Sequence, residues 1–355
     1  MNKLKFWYKN ARPVSLPQSM MPALVAVFMA AKYEDFRWYL ALLSVIGIAL
    51  AHLCFNLFDD YFDFMNAEQG DRTALTRMGF RAMTVKCPPL QDGTVSPHTW
   101  LKVCLLFGAA ACICGVPVVL IRGIRILWVV AGVAVLGLFY SAPPLKLGYH
   151  GLGELIIGSI FGPGIFIGMS LAAAGELHIP EVLISCAMGL LVIAILYVHS
   201  IMDYAADTKA GKRTFAWLVG CHATIPKAGA GIINVPTERE VEAGVRRQYI
   251  ALAVILFVPY LLVLATVIAG HLPYYYLLVF LVLPWSADLY LSMEKFRRDP
   301  LHVPPKKKWY GPFQHWDQIK EAGIDWFMLR WLLAQRINIF FSLLCIVASC
   351  LQLIF

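Results

Sequence analysis

The chain has 355 residues, 59% of them hydrophobic and 15% charged, with a formal net charge of +8. A soluble globular domain is roughly 45–50% apolar and about 25% charged, so an ordinary soluble enzyme is excluded. The nine cysteines lie mostly inside apolar stretches and read as small buried hydrophobes, which excludes a disulfide scaffold or a zinc knuckle.

In chain order the apolar residues gather into nine stretches: 14–31, 38–58, 100–121, 125–142, 153–174, 181–202, 249–269, 272–292 and 337–355. A helix that crosses a bilayer needs about 20 such residues. Lipid leaves the backbone no partner except its own helix or a closed barrel. Barrel strands alternate in polarity and these stretches do not. The reading is an all-α membrane protein, a bundle of nine transmembrane helices, spanning 1–355 as one domain. Its helical core covers 14–292, and 293–355 supplies an extended loop and the last helix. No cleavable signal is expected, because no apolar run with a small-residue cleavage site closely follows the basic N-terminus.

The first stretch is interrupted by Pro17 and Pro22. The second ends Asn56-Leu-Phe-Asp59-Asp60-Tyr61-Phe62-Asp63. The fifth is rich in glycine, with Gly158/Gly162 and Gly164/Gly168 each four apart. That spacing lets a neighbouring helix approach closely, or leaves room for a lipid-like ligand. The sixth ends Asp203-Tyr-Ala-Ala-Asp207. The loop after it holds a Gly/Ala-rich segment, 227–234, and a charged helical stretch, 237–248. The loop after the eighth carries Lys306-Lys307-Lys308-Trp309-Tyr310, the signature of an interfacial anchor. Residues 318–336 are predicted to form an amphipathic helix lying on the surface.

The positive charge is distributed as topology and not as a nucleic-acid surface. With the N-terminus inside, 25 of the 30 Lys and Arg fall in the inner segments and 4 in the outer loops. This satisfies the positive-inside rule and places both acidic helix ends on the cytoplasmic side, in an inner-membrane topology.

Spacings of three and four put Asn56, Asp59, Asp60 and Asp63 on one helical face, and Asp203 and Asp207 on another. One carboxylate at the bilayer centre costs about 2.5–3.5 kcal/mol, so these groups need an interface, water or cations. Carboxylates suit hard divalent cations, and Mg²⁺ takes one or two of them together with phosphate oxygens. Arg72 and Arg77 follow the first cluster; Lys209, Lys212 and Arg213 follow the second. Acid, metal and base make a pyrophosphate site, and an apolar bundle behind it suits a polyprenyl tail.

These residues resemble the UbiA-type membrane prenyltransferases. Residues 56–63 look like the family's first aspartate-rich motif, and 203–214 (DYAADTKAGKRT) like its second. Tyr140-Ser-Ala-Pro-Pro144, with Lys146 and Gly151-Leu-Gly-Glu154, is similar to the segment between its fourth and fifth helices. GYHGLGE and GPGIFIG most resemble the 1,4-dihydroxy-2-naphthoate prenyltransferases of menaquinone synthesis. The resemblance implies Mg²⁺ on Asp59, Asp60, Asp63, Asp203 and Asp207, with Asn56 beside them. It implies diphosphate on Arg72, Lys146, Lys212 and Arg213, and Tyr140 and Ser141 near the departing oxygen. Asp63, Asp207 and Tyr140 would carry the reaction. The sequence departs from the pattern at Asp59, where Asn is usual, and at Ala67, where Glu68 or Asp71 would substitute. His199, Ser200 and Met202 stand where naphthoate members have Asn and Arg. Tyr140, with Phe62 or Phe139, would shield an allylic cation. His199, four residues before Asp203, is a packed histidine or an acceptor-orienting one; His52, four before Asn56, has the same two readings. A prenyltransferase with another aromatic acceptor, a lipid-binding pseudo-enzyme and a cation-coupled transporter are the competing functions.

Overall fold

The computed structural model describes residues 3–65, 87–204, 207, 213–220, 238–313 and 315–355. Among them the backbone is helical, and its one bridge of strand type joins His150 to Arg213. A short helix α1 (Lys3–Asn10) precedes α2 (Pro17–Ala30), α3 (Trp38–Met65), α4 (Pro97–Arg122) and α5 (Arg125–Ser141). There follow α6 (Gly153–Ala173), α7 (Ile179–Met202), α8 (Glu238–Ile268), α9 (Tyr274–Arg298) and α10 (Asp325–Ile354).

Seven of these, α3, α4 and α6 to α10, are long and apolar enough to cross a membrane, as befits an integral membrane protein. The other two apolar helices are shorter, 14 residues in α2 and 17 in α5. At about 1.5 Å per residue they reach only ~21 and ~26 Å. All nine apolar stretches became helices; two fall short of the expected length.

Helix α7 is the axis of the bundle, packed by α2, α6, α8 and α10. The main core gathers Ala23 and Met29 from α2, Phe166 and Met169 from α6, Leu191 and Tyr197 from α7, Tyr260 from α8 and Phe341 from α10. Helix α4 is peripheral, with Leu105, Leu106, Ile113, Val116 and Leu120 exposed. Apolar surface left open all along a hydrophobic helix is the face expected for lipid.

Glycines decide how closely α6 meets α7. A Cβ on Gly162 would lie 2.5 Å from the Cα of Gly189 and 2.6 Å from the Ser185 carbonyl oxygen. Of the two readings of the glycine spacing, close packing is the one found here. A π-helical turn, Ile160–Gly164, interrupts α6 around Pro163 at this crossing, as expected where proline removes a backbone donor.

Two expectations need correction. The charged stretch 237–248, expected within the loop, is helical from Glu238 as predicted but forms the first part of α8. The surface helix predicted over 318–336 is broken. A short helix, Trp316–Glu321, stops at Gly323 (φ +67°), and from Asp325 the chain is already α10. Arg330 explains the difference: its guanidinium is buried and donates to the carbonyls of Ser292, Trp326 and His302. A sequence pattern cannot show that a buried charge is hydrogen-bonded in this way.

Candidate metal and diphosphate site

The first acidic cluster occupies the last turns of α3. Asp60 and Asp63 are buried, and Asp59 is partly exposed. Arg12, just past α1, donates to Asp59 at 3.0 Å, lies 3.6 Å from Asp60 and donates to the Asn56 carbonyl at 2.9 Å. Loss of solvation alone would lower the Arg12 pKa. The carboxylates of Asp60 and Asp59 more than offset it and hold the guanidinium above its ordinary value. Arg12 carries no motif signal, since its partners lie 44 to 48 positions away; sequence reasoning missed it.

Asn56 is tied to the N-terminal segment. Its amide nitrogen donates to the Ala11 carbonyl and to Ser15 Oγ, both at 2.9 Å. That leaves its carbonyl oxygen as the one side-chain atom able to serve a cation. His52 is likewise committed: it is buried, with Ser19 Oγ 2.6 Å from Nδ1 and Ser15 Oγ 3.1 Å from Nε2. Of its two readings the packed histidine is the one found. Together Ser15, Ser19, His52 and Asn56 pin the N-terminal segment to α3. Trp100 adds to the same anchor, stacking edge-on against Trp7 at 5.3 Å and donating to the Leu57 carbonyl.

The α5–α6 connector, taken from Ser141 at the end of α5 to Glu154 in the first turn of α6, reaches the first acidic cluster and the segments on either side of the second. On one side Ser141 donates to Asp59, and Tyr149 donates to Asp63. Tyr149 too was missed, although it lies inside GYHGLGE. Tyr140 packs its ring over Gly148 and Gly153, where a Cβ would stand 3.0 and 3.3 Å from it. Lys146 takes a left-handed backbone (φ +41°) at the turn before Leu147–Tyr149.

On the other side the connector meets the segment after the second cluster. Gly151 N–H donates to the Arg213 carbonyl at 3.0 Å. Glu154, buried in the first turn of α6, accepts from Ser200 Oγ at 2.5 Å and from the Phe215 N–H at 3.0 Å. Asp203 caps α7 and Asp207 lies just beyond it; both are buried, and the Asp207 N–H donates to the Asp203 carbonyl. His199 Nε2 is 3.4 Å from Asp203, and its ring meets Phe327 of α10 edge-on at 5.1 Å. The Arg213 guanidinium lies over the Trp217 ring at 5.1 Å. Phe62 stacks on Phe58 and meets Tyr61 edge-on. Arg72, Arg77, Lys209 and Lys212, with Ala67, Glu68 and Asp71, lie outside the described residues.

Among the described residues no three Asp, Glu, His or Cys side chains converge as a ready-made cation cage. The donor set is nonetheless hard oxygen from four buried carboxylates, Asp60, Asp63, Asp203 and Asp207. That chemistry fits Mg²⁺, which is held by one or two carboxylates and completes its shell with phosphate and water.

The fold and the site define a class: a helical membrane protein with paired carboxylates at one end of the bundle, bridged by a single connector. Residues 19–300 match the model of the UbiA prenyltransferase family, and the chain belongs to that family. A Bacillus subtilis protein named 1,4-dihydroxy-2-naphthoate octaprenyltransferase is 27% identical over 218 residues, 60% of this chain. The match spans 65% of that relative, just under two thirds of its length. A Mycobacterium tuberculosis protein of the same name is 26% identical over 219 residues, 60% of this chain and 70% of the relative.

Among solved structures, one described as digeranylgeranylglyceryl phosphate synthase superimposes with a TM-score of 0.60 at 15% identity, covering 98% of this chain and 99% of that one. A UbiA homolog from Archaeoglobus fulgidus bound to GPP and Mg²⁺ gives 0.56 at 16% identity, covering 97% and 99%. At such identities the structures establish the fold.

Proposed function

We propose that this protein transfers a polyprenyl group from an allylic diphosphate to an aromatic acceptor, in a Mg²⁺-dependent reaction at one membrane face. One observation carries the reading. The connector 141–154 bonds to Asp59 and Asp63 on one side and to the Arg213–Phe215 segment on the other. The two motifs thereby border a single site. The relatives named for 1,4-dihydroxy-2-naphthoate support that compound as the acceptor, in menaquinone synthesis. The Archaeoglobus complex supports a prenyl diphosphate and Mg²⁺.

Asp60, Asp63, Asp203 and Asp207 would hold the metal, with Asp59 beside Arg12. When bound, the metal would offset the charge growing on the departing diphosphate. Arg213 and Lys146 take remaining phosphate oxygens, aided by Arg72 and Lys212. The allylic C–O bond breaks, and the electron pair leaves with the diphosphate. The Tyr140 ring, fixed between Gly148 and Gly153, faces the resulting cation. The acceptor ring attacks the allylic carbon, and dihydroxynaphthoate then loses its carboxylate as CO₂. His199, next to Asp203 and partly exposed, orients the acceptor. With the N-terminus inside, 25 of the 30 basic residues fall in the inner segments that flank the apolar stretches, which supports nine crossings with the site on the cytoplasmic side of a bacterial inner membrane.

The test is transfer of labelled prenyl diphosphate to a panel of aromatic acceptors in membranes, with and without EDTA. Metal-dependent prenylation of dihydroxynaphthoate is expected. Product formation that ignores EDTA, or no product with any acceptor, refutes the reading.

A further inference from the structure

Glu154 sits where three parts of the molecule meet. The residue is 5% exposed. One oxygen takes the hydroxyl of Ser200, three residues before Asp203 on α7; the other takes the backbone N–H of Phe215. Phe215 opens a short helix, Phe215–Val219, capped by Thr214, whose hydroxyl accepts from the Trp217 N–H. Arg213 lies directly before it and is bonded back to the connector, its carbonyl accepting from Gly151. Gly151 holds φ +82°, and a Cβ there would press on Leu218 at 3.1 Å. The short helix therefore seats directly against the connector.

We infer that Glu154 is a positioning residue for the diphosphate half of the site. It clamps the start of α6, the end of α7 and the Arg213–Phe215 segment into one unit. Buried hydrogen bonds to a charged group are the stronger ones. A carboxylate is suited to this place because it accepts on both oxygens at once. With the clamp formed, Asp203 and Asp207 keep a fixed relation to Arg213. Without it, Ser200 and the Phe215 N–H lose their acceptor, and the segment that carries Arg213 is free to lift away. The inference rests on reading the site as one for metal and diphosphate.

The experiment uses full-length protein in nanodiscs with three readouts. These are binding of Mg²⁺-pyrophosphate, the thermal midpoint, and hydrogen exchange of the 213–220 backbone. Glu154→Ala is expected to weaken pyrophosphate binding about tenfold or more, the equivalent of losing one charged hydrogen bond, and to speed exchange at 213–215. Glu154→Gln keeps one acceptor and gains a donor for Ser200 Oγ, so it is expected to restore binding to within about threefold of wild type. In turnover, the loss in Glu154→Ala should appear in KM for the prenyl diphosphate and not in KM for the acceptor. If Glu154→Ala does not fold, Ser200→Ala removes one arm of the clamp and should show the same pattern, reduced. Wild-type binding and exchange in the variant overturn the positioning role. A lowered thermal midpoint with unchanged binding also overturns it, since that marks a residue needed only for stability. Failure of wild-type protein to bind Mg²⁺-pyrophosphate overturns the reading of the site itself.

Discussion

Gly162→Ala tests whether the α6–α7 crossing holds the site in shape. The added methyl would lie 2.5 Å from Gly189 Cα, 2.6 Å from Gly189 N and 2.6 Å from the Ser185 carbonyl oxygen. Ordinary contact between such atoms is about 3.5–4.0 Å, so the helices must part by roughly 1 Å. Each obstructing atom is backbone, and no rotamer change can relieve it. Overpacking of this kind costs about 1–3 kcal/mol, and the rigid neighbours place this case at the upper end. Alanine's helical advantage over glycine returns about 1 kcal/mol, leaving a net loss of about 1–2 kcal/mol by the same principles.

Gly168→Ala on the same helix is the matched control. Its methyl meets only Val129 Cγ1, at 3.6 Å. Thermal unfolding of both variants in one lipid should place Gly162→Ala below wild type and Gly168→Ala at or above it. Activity should fall only in the first, because parting α6 from α7 also draws Glu154 from Ser200. A Gly162→Ala protein as stable and active as Gly168→Ala would refute the argument.

The other expectations concern charge at the α3 and α7 ends. Asp63→Ala and Asp207→Ala should each abolish prenyl transfer while the protein remains folded; near-normal turnover in either variant removes the assignment of these carboxylates to the metal. Arg12→Gln should lower stability without ligand by about 1 kcal/mol or less, since the side chain is 37% exposed and water screens the pair. The same variant should gain more from added Mg²⁺ in a thermal-shift assay than wild type does, because a cation would restore neutrality beside Asp59 and Asp60. Equal Mg²⁺ shifts in the two proteins would show that Arg12 does not share these carboxylates with the metal.

Much of the architecture was legible in the chain. Backbone burial in lipid allows few solutions, so nine apolar stretches became nine helices, although α8 and α10 begin well before their apolar stretches, at Glu238 and Asp325. Spacings of three and four set Asp59, Asp60 and Asp63 at one helix end, and Asp203 with Asp207 at another. What local pattern cannot carry is a partner far along the chain. Nothing near Asp59 announces Arg12 or Ser141, and nothing near Asp63 announces Tyr149. His52 and Asn56 share helical spacing with the acids, yet hydroxyls and carbonyls of the N-terminal segment claimed them. Arg330 looked like the polar side of a surface helix until three carbonyls closed around it. The two acidic motifs were therefore determined by sequence, because helical periodicity is local. Their bridging through one connector, with Glu154 at its end, was decided by tertiary structure, because hydrogen bonds between distant segments depend on how the helices pack.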